Sequence, residues 1–263
     1  ADTLPSLNLW GMLTIYAFNV YWVSACSLGA LIIFPKYLVM GDASYEAHIV
    51  ESTVARRGIA MFVGPVEVRG EENLPSENPG SPAPIYIANH ASELDVASVY
   101  YIYRRFKWIA KESILLMPGV GQIMWLGKHV LINRKHTKKD KSSNSSNLYE
   151  KSNEAVQSGI PMFIYPQGTR WMAERLPFKF GAMNIAMHNK SNLIPISIDI
   201  PKDALNRLYP LCLWNFQKQT PVVLTIHKPI QVTGTEDKEE LAKQCSDLIY
   251  SVLPPVPESK KKK

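Results

Sequence analysis

From Thr3 to Pro35 the chain carries no charged residue, and Leu7 to Leu38 is dense in Leu, Ile, Val, Tyr and Trp. A helix of about 20 apolar residues crosses the hydrocarbon core of a bilayer, so this run is long enough to do so. Trp10, Tyr16, Tyr21 and Trp22 are amphipathic rings of the kind that favour a membrane–water interface. The run is too long for a cleaved signal peptide and has neither a basic leader nor a clear small-residue cleavage site, so a retained segment is expected. Asn8, Asn19 and Ser24 interrupt it, which leaves a single span, a helical pair dipping into one leaflet and a buried soluble helix all open. Tyr45 to Met61 mixes Ile49, Val50, Val54 and Ile59 with Glu51, Arg56 and Arg57, the pattern of a helix that lies along a surface or packs back on the first one.

Beyond this region the chain reads as an α/β domain with a mostly parallel central sheet flanked by helices. Short apolar runs at Val66–Arg69, Pro84–Ala88, Lys107–Lys111, His129–Asn133, Met162–Tyr165, Leu193–Asp199 and Pro221–His227 alternate with helical patterns. Ser142–Ser146 reads as a soft linker, Gly159 as the C-cap of the helix that follows it, and Thr235 as the N-cap of the last helix. That helix would bury Leu241, Cys245, Leu248, Ile249 and Val252. Residues 1–60 are expected to form an N-terminal membrane-associated helical segment and residues 61–263 the domain that carries the chemistry. A net charge of +6 fits an anionic partner, a membrane surface or a phosphorylated substrate. No Arg-rich helix or nucleic-acid-stacking pattern accompanies it, so nucleic acid is not expected as a partner. Cys26, Cys212 and Cys245 are scattered and give neither a disulfide framework nor zinc spacing.

The chemistry centres on Pro84 to Asp95. A strand breaks into Asn89-His90, and Ser92 can cap a helix whose positive end suits Glu93 and Asp95. The chain then folds back so that a carboxylate can meet an imidazole. A carboxylate on one ring nitrogen sets the tautomer and makes the other nitrogen a better base toward a hydroxyl. If the substrate brings that hydroxyl, no serine nucleophile is needed, and the pair is two thirds of a serine-hydrolase triad. On its own the spacing fits better a capping Asp beside a His bonded to a backbone carbonyl.

A second stretch, Tyr165-Pro166-Gln167-Gly168-Thr169-Arg170, alters that balance. Taken with Asn89-His90 and Asp95, it resembles the glycerolipid acyltransferase family, whose marks are NHxxxxD and (F/Y)PEGTR. The branch most similar is the 1-acylglycerol-3-phosphate (lysophosphatidate) acyltransferases, and the likeness runs over residues 65 to 230. The resemblance implies His90 as general base and Asp95 as its orienting partner. It implies transfer of a fatty acyl group from acyl-CoA or acyl carrier protein to the free hydroxyl of lysophosphatidate, giving phosphatidate. No metal or cofactor is expected, only the acyl donor as a substrate. Gln167, Gly168, Thr169 and Arg170 would bind substrate, with Arg170 and Arg134 clamping phosphate and Lys179, in an LPFKxG-like stretch, adding a charge.

The family has glutamate where this chain has Gln167. An ion pair from that position to Arg170 would be weakened by the change, whereas a hydrogen-bond acceptor there would be nearly unaffected. Glycerol-3-phosphate or another lysophospholipid as acceptor stays open, as does a catalytically weakened lipid-binding relative. The expected partners are a lysophospholipid, acyl-CoA and the bilayer. The basic run from Arg134 to Lys141 fits lipid headgroups or the phosphates of CoA, or a solvated loop. Lys260–Lys263 is similar to a dilysine retrieval signal, or equally to a polybasic membrane contact, and Lys36 with the basic domain beyond it favours the cytosolic side. An endoplasmic-reticulum membrane with a cytosolic catalytic domain is therefore expected, with a plastid or other organelle membrane as alternative.

Overall fold

The computed structural model describes residues 9–132, 141–170, 175–201 and 220–255. Arg134 and the rest of 134–140, Cys212 and Lys260–Lys263 therefore lie outside the described residues, and Lys141 is described by its backbone alone. The uncharged run forms one helix, α1 (Leu9–Met40), with Pro35 inside it. By length and composition it is able to cross a membrane. Its C-terminal end is closed at Gly41, which has φ 68 and donates its N–H to the Tyr37 carbonyl at 2.8 Å. The Asp42 carboxylate accepts from the Ser44 N–H at 2.8 Å, and α2 (Ser44–Phe62) runs back along α1.

Of the two arrangements open to α2, the structure has the packed one. Gly29 of α1 lets Val50 come so near that a Cβ there would lie 2.3 Å from the valine Cγ1. Phe18, Cys26, Ala30 and Ile33 of α1 are buried, whereas Leu28, Leu31, Ile32, Leu38 and Val39 are well exposed on its other side. The helix is thus apolar on both faces, and among the described residues only one of them is covered by protein.

The sheet has seven strands in the order β1-β7-β6-β2-β5-β3-β4. These are β1 (Val66–Arg69), β2 (Ile85–Ala88), β3 (Lys107–Lys111), β4 (Val130–Ile132), β5 (Met162–Ile164), β6 (Leu193–Asp199) and β7 (Val222–Ile226). Neighbours pair in parallel except β6 and β7, so β1 and β7 run against the other five. β2 is fully buried, as a central strand covered on both faces must be. Tyr86 and Ala88 face a cluster containing Phe18, Ala55 and Ile59 from α1 and α2, with Leu94 and Ala97 of α3 (Glu93–Ser98). Ile85 and Ile87 face the opposite cluster, built with α5 (Lys141–Gln157), α6 (Gly181–Asn189) and α7 (Lys238–Ser251). The short α4 (Val120–Leu126) fits beside α1, where Gly119 approaches the Val23 carbonyl closely.

Three local expectations are corrected. Ser142–Ser146 is not a linker, because α5 begins at Lys141 and includes it. That helix does end at Gly159: Ile160 donates to the Ala155 carbonyl at 3.0 Å and Gly159 to Val156 at 3.2 Å, with Gly159 at φ 77. The last helix is capped by Asp237, whose carboxylate accepts from the Glu240 N–H at 2.9 Å, and not by Thr235. Thr235 belongs to the turn before, where Glu236 takes the N–H groups of Thr233 and Gly234. Val252 lies past the end of α7 and is 51% exposed, whereas Leu241, Cys245 and Ile249 are buried as the pattern requires.

A buried polar network ties α2 to the sheet. Trp108 donates its backbone N–H to Nδ1 of His129 at 2.9 Å, so the other nitrogen of that ring carries the proton. His129 Nε2 then donates to Glu51 at 2.7 Å. The second Glu51 oxygen accepts from the Tyr100 hydroxyl at 3.0 Å, which in turn accepts from the Trp108 indole at 2.8 Å. Nearby, the His48 ring lies against Tyr100 and Phe106, and its Nδ1 is buried with no hydrogen-bond partner among the described residues.

Burial pushes the His48 imidazole down to about 4 from an ordinary 6.5. The unfolded chain takes up this proton at a higher pH than the folded one, so the stability is intact above pH 6.5 and is lost as pH falls toward 4. Over that interval the loss is on the order of 3 kcal/mol from this residue. Thermal unfolding in detergent across that range should therefore fall more steeply for the wild type than for His48→Leu. Parallel pH dependences in the two proteins would contradict this.

Candidate active site

β2 and β5 are parallel neighbours with Ile87 opposite Ile164, so the residues that follow them leave the sheet side by side. This brings Asn89-His90 next to Tyr165-Pro166-Gln167 across a long interval of sequence. Asn89 prolongs the pairing with β6 through its side chain: its amide donates to the Ile198 carbonyl at 2.9 Å and accepts from the Ile198 N–H at 2.8 Å. The chain is thereby held at the strand end and turns into α3. Ser92 caps that helix, with its hydroxyl accepting from the Leu94 N–H at 3.0 Å. Asp95 closes the capping box by reaching back to the Ser92 N–H at 2.8 Å.

The same Asp95 oxygen also accepts from the Ala91 N–H and lies 3.0 Å from Nδ1 of His90. Asp95 is wholly buried, while the His90 side chain keeps 14% of its surface exposed. A carboxylate taking two backbone N–H bonds can offer the imidazole only an acceptor. The Nδ1 nitrogen therefore carries the proton and Nε2 the lone pair. Gln167, also buried, accepts from the His90 N–H through Oε1 at 2.6 Å. The consecutive amides of residues 90, 91 and 92 thus all end on side-chain oxygens, the first on Gln167 and the other two on a single Asp95 oxygen.

The Tyr165 ring stacks on the His90 imidazole with centroids 3.9 Å apart and planes within 8°. Burial holds the Tyr165 phenol well above its ordinary range, and the nearby Asp95 charge adds to this, so it stays protonated. Gly168 has φ 72 and donates its N–H to the Tyr165 carbonyl at 3.0 Å. A Cβ at that glycine would sit 2.7 Å from Nζ of Lys179, which brings this ammonium to the turn. Lys179 also donates its backbone N–H to the Pro166 carbonyl at 2.9 Å. Arg170 is half exposed and pairs with Glu93 in the first turn of α3.

A scan of known families matches the acyltransferase model over residues 65–199. The chain belongs to the acyltransferase family. A 1-acyl-sn-glycerol-3-phosphate acyltransferase of Chlamydomonas reinhardtii is 31% identical over 209 residues, 79% of this chain and 58% of that protein. A chloroplastic 1-acyl-sn-glycerol-3-phosphate acyltransferase of Brassica napus is 29% identical over 165 residues, 62% of this chain and 44% of that one. The chain thus spans about half the length of these two curated relatives. The crystal structure of the 1-acyl-sn-glycerophosphate (LPA) acyltransferase PlsC from Thermotoga maritima has the same fold, with a TM-score of 0.67, 23% identity and coverage of 92% of both chains.

Among the residues singled out in the sequence, the fold gathers His90, Asp95, Gln167, Gly168, Arg170 and Lys179 at the ends of β2 and β5. Thr169 is exposed beside them, and Arg134 lies outside the described residues. Gln167 meets the backbone of His90, and the carboxylate at Arg170 is that of Glu93. Two neighbours, Tyr165 and Glu93, were not read as part of the site. The aromatic residue heading the Pro-Gln-Gly-Thr-Arg stretch and the acid two places before Asp95 were the available signals. Away from the site, a Ser–His contact, Ser197 Oγ to His227 Nε2 at 2.7 Å, is structural, since Ser197 gives its proton to the Ile249 carbonyl.

Replacing Asn89 by Ala removes both bonds to Ile198 and leaves a buried N–H and C=O without partners. At about 1–3 kcal/mol for each such group, the variant should unfold at clearly lower denaturant concentration. An unchanged midpoint would mean that Asn89 does not pin the turn.

Proposed function

We propose that this chain transfers a fatty acyl group from acyl-CoA, or from acyl carrier protein, to the free hydroxyl of lysophosphatidate. The observation that carries the reading is the His90–Asp95 pair, 3.0 Å apart, with the carboxylate buried and the imidazole open to approach. Nε2 of His90 takes the proton of the acceptor hydroxyl as its oxygen bonds to the thioester carbonyl carbon. The tetrahedral adduct then collapses, the carbon–sulfur bond breaks, and the imidazolium returns its proton to the leaving thiolate. Asp95 holds the tautomer and offsets the charge on the ring while it is protonated. No acyl-enzyme forms, because the acceptor itself is the nucleophile.

Arg170 and Lys179 supply positive charge for the acceptor phosphate beside this base. Arg170 is already paired with Glu93, so a phosphate binds by taking over guanidinium bonds from a carboxylate, a fork-like exchange that favours an oxyanion of similar shape. Gln167 needs no charge for its bond to the His90 N–H, which supports an active enzyme over a weakened lipid-binding relative. The names of the similar proteins from the alga and from Brassica support lysophosphatidate as the acceptor.

Residues 1–60 act as the membrane-associated segment and residues 61–263 as the acyltransferase domain, on the cytosolic side. The outward apolar face of α1, with Leu28, Leu31, Ile32 and Val39, supports the membrane association, since an acyl chain offers it a medium that water does not.

The test uses purified protein with labelled acyl-CoA and a panel of lysophosphatidate, glycerol-3-phosphate and lysophosphatidylcholine. Lysophosphatidate should be the best acceptor, and Arg170→Ala should reduce its use by about tenfold to a hundredfold, as loss of a charge-assisted contact implies. His90→Ala should lower turnover by about 10² to 10⁴-fold, and Asp95→Asn combined with it should add little further, because the two act as one unit. A His90→Ala enzyme retaining more than about a tenth of wild-type turnover removes His90 as the base.

Membrane attachment is checked separately by extraction. Neither carbonate nor high salt should release the intact chain, whereas detergent should. Complete release by salt would exclude α1 as a lipid-embedded element.

A further inference from the structure

We propose that Tyr165 is a positioning residue for His90, its ring serving as a flat wall that fixes the plane of the imidazole. This rests on the reading of His90 as the general base. One hydrogen bond, from Nδ1 to Asp95 at 3.0 Å, fixes a point on the ring but leaves it free to pivot about that bond. The torsion that turns an imidazole about its stem is broad, so packing has to set it. Pivoting would swing Nε2 away from any hydroxyl placed for proton transfer, and a misplacement of about 1 Å at a reacting group can cost about a hundredfold in rate.

The structure supplies the missing restraint from one residue. The Tyr165 and His90 rings are nearly coplanar in orientation, 8° apart, at a centroid distance of 3.9 Å. Because β5 lies between β2 and β3, Tyr165 has His90 from one neighbouring strand and Trp108 from the other. The Trp108 ring packs on Tyr165 with centroids 5.6 Å apart and planes at 21°, and Phe163 closes in at 5.5 Å. Trp108 cannot yield easily, since its indole N–H is held by Tyr100 at 2.8 Å and its backbone N–H by His129 at 2.9 Å. The wall is therefore itself braced.

The ring of Tyr165 and not its hydroxyl carries this role. That hydroxyl is buried and finds no hydrogen-bond partner among the described residues. Phenylalanine would keep the stack while removing an unpaired polar group, whereas an aliphatic side chain would fill space without a flat face.

The test combines spectroscopy with kinetics on the full chain in detergent micelles. Protein labelled with ¹⁵N-histidine should show a low-field Nδ1–H proton for His90, assigned by its absence from His90→Gln. Tyr165→Phe should keep that signal and a turnover within about twofold of wild type. Tyr165→Leu should broaden or lose it, with kcat falling about tenfold to a hundredfold and KM changing less than about twofold. Tyr165→Met, also without a flat face, carries the same expectations and takes its place if Tyr165→Leu does not fold. Retention of both the signal and kcat in an aliphatic variant overturns the proposal. Retained turnover in His90→Gln would instead remove the base, a failure that the ring signal of the Tyr165 variants reports independently.

Discussion

Asp95 has no contact with water, and a carboxylate in that position is costly unless it is fully paired. One of its oxygens takes the amides of Ala91 and Ser92 and meets the His90 ring. The same bonds that begin α3 therefore set the imidazole, so local helix capping and the chemistry are one arrangement. This also gives the length of the NHxxxxD spacing a physical reason. The carboxylate has to be in the first helical turn to reach back to the cap, and the histidine has to precede the cap to be met by it.

The sheet supplies the other half. Parallel pairing of β2 with β5 makes two stretches far apart in sequence end at one edge, where Gln167 can take the His90 amide and Tyr165 can cover its ring. Asn89 adds a side-chain continuation of the β2–β6 ladder, so the turn is tethered on both flanks. Histidine, carboxylate, amide and aromatic ring thus reach a common geometry from the ends of two strands and one short helix, with a third strand as tether.

Much of this was legible because it is written in short-range patterns. The apolar runs ending at Ala88 and Ile164, the Ser92 cap and the acids after it specify strand, turn and helix within a dozen residues. The Schellman end at Gly159 was equally readable. The rest depends on contacts that no local pattern carries. Ser142–Ser146 has poor helix formers and reads as a linker, yet it continues into the well-packed part of α5 around Ala155 and Val156. Thr235 and Asp237 are both good caps, and the choice fell to Asp237 because Glu236 draws Thr233 and Gly234 into a turn of their own. The pairing of Glu51 with His129 joins residues 78 apart in sequence, and Gln167 was ambiguous until its acceptor role toward His90 was visible.

The network that ends on Glu51 bears on how this protein can be handled. Phe18, Ala55 and Ile59 share one core with Tyr86, Phe163 and Ile196, and Glu51 is the carboxylate on which Tyr100 and His129 depend. Trimming the chain near residue 60 would not free a water-soluble domain but would open a hydrophobic wound and strand two buried donors. A soluble form is better sought by repainting the outward side of α1 at Leu28, Leu31, Ile32 and Val39 with polar residues, leaving the inward side to grip the sheet.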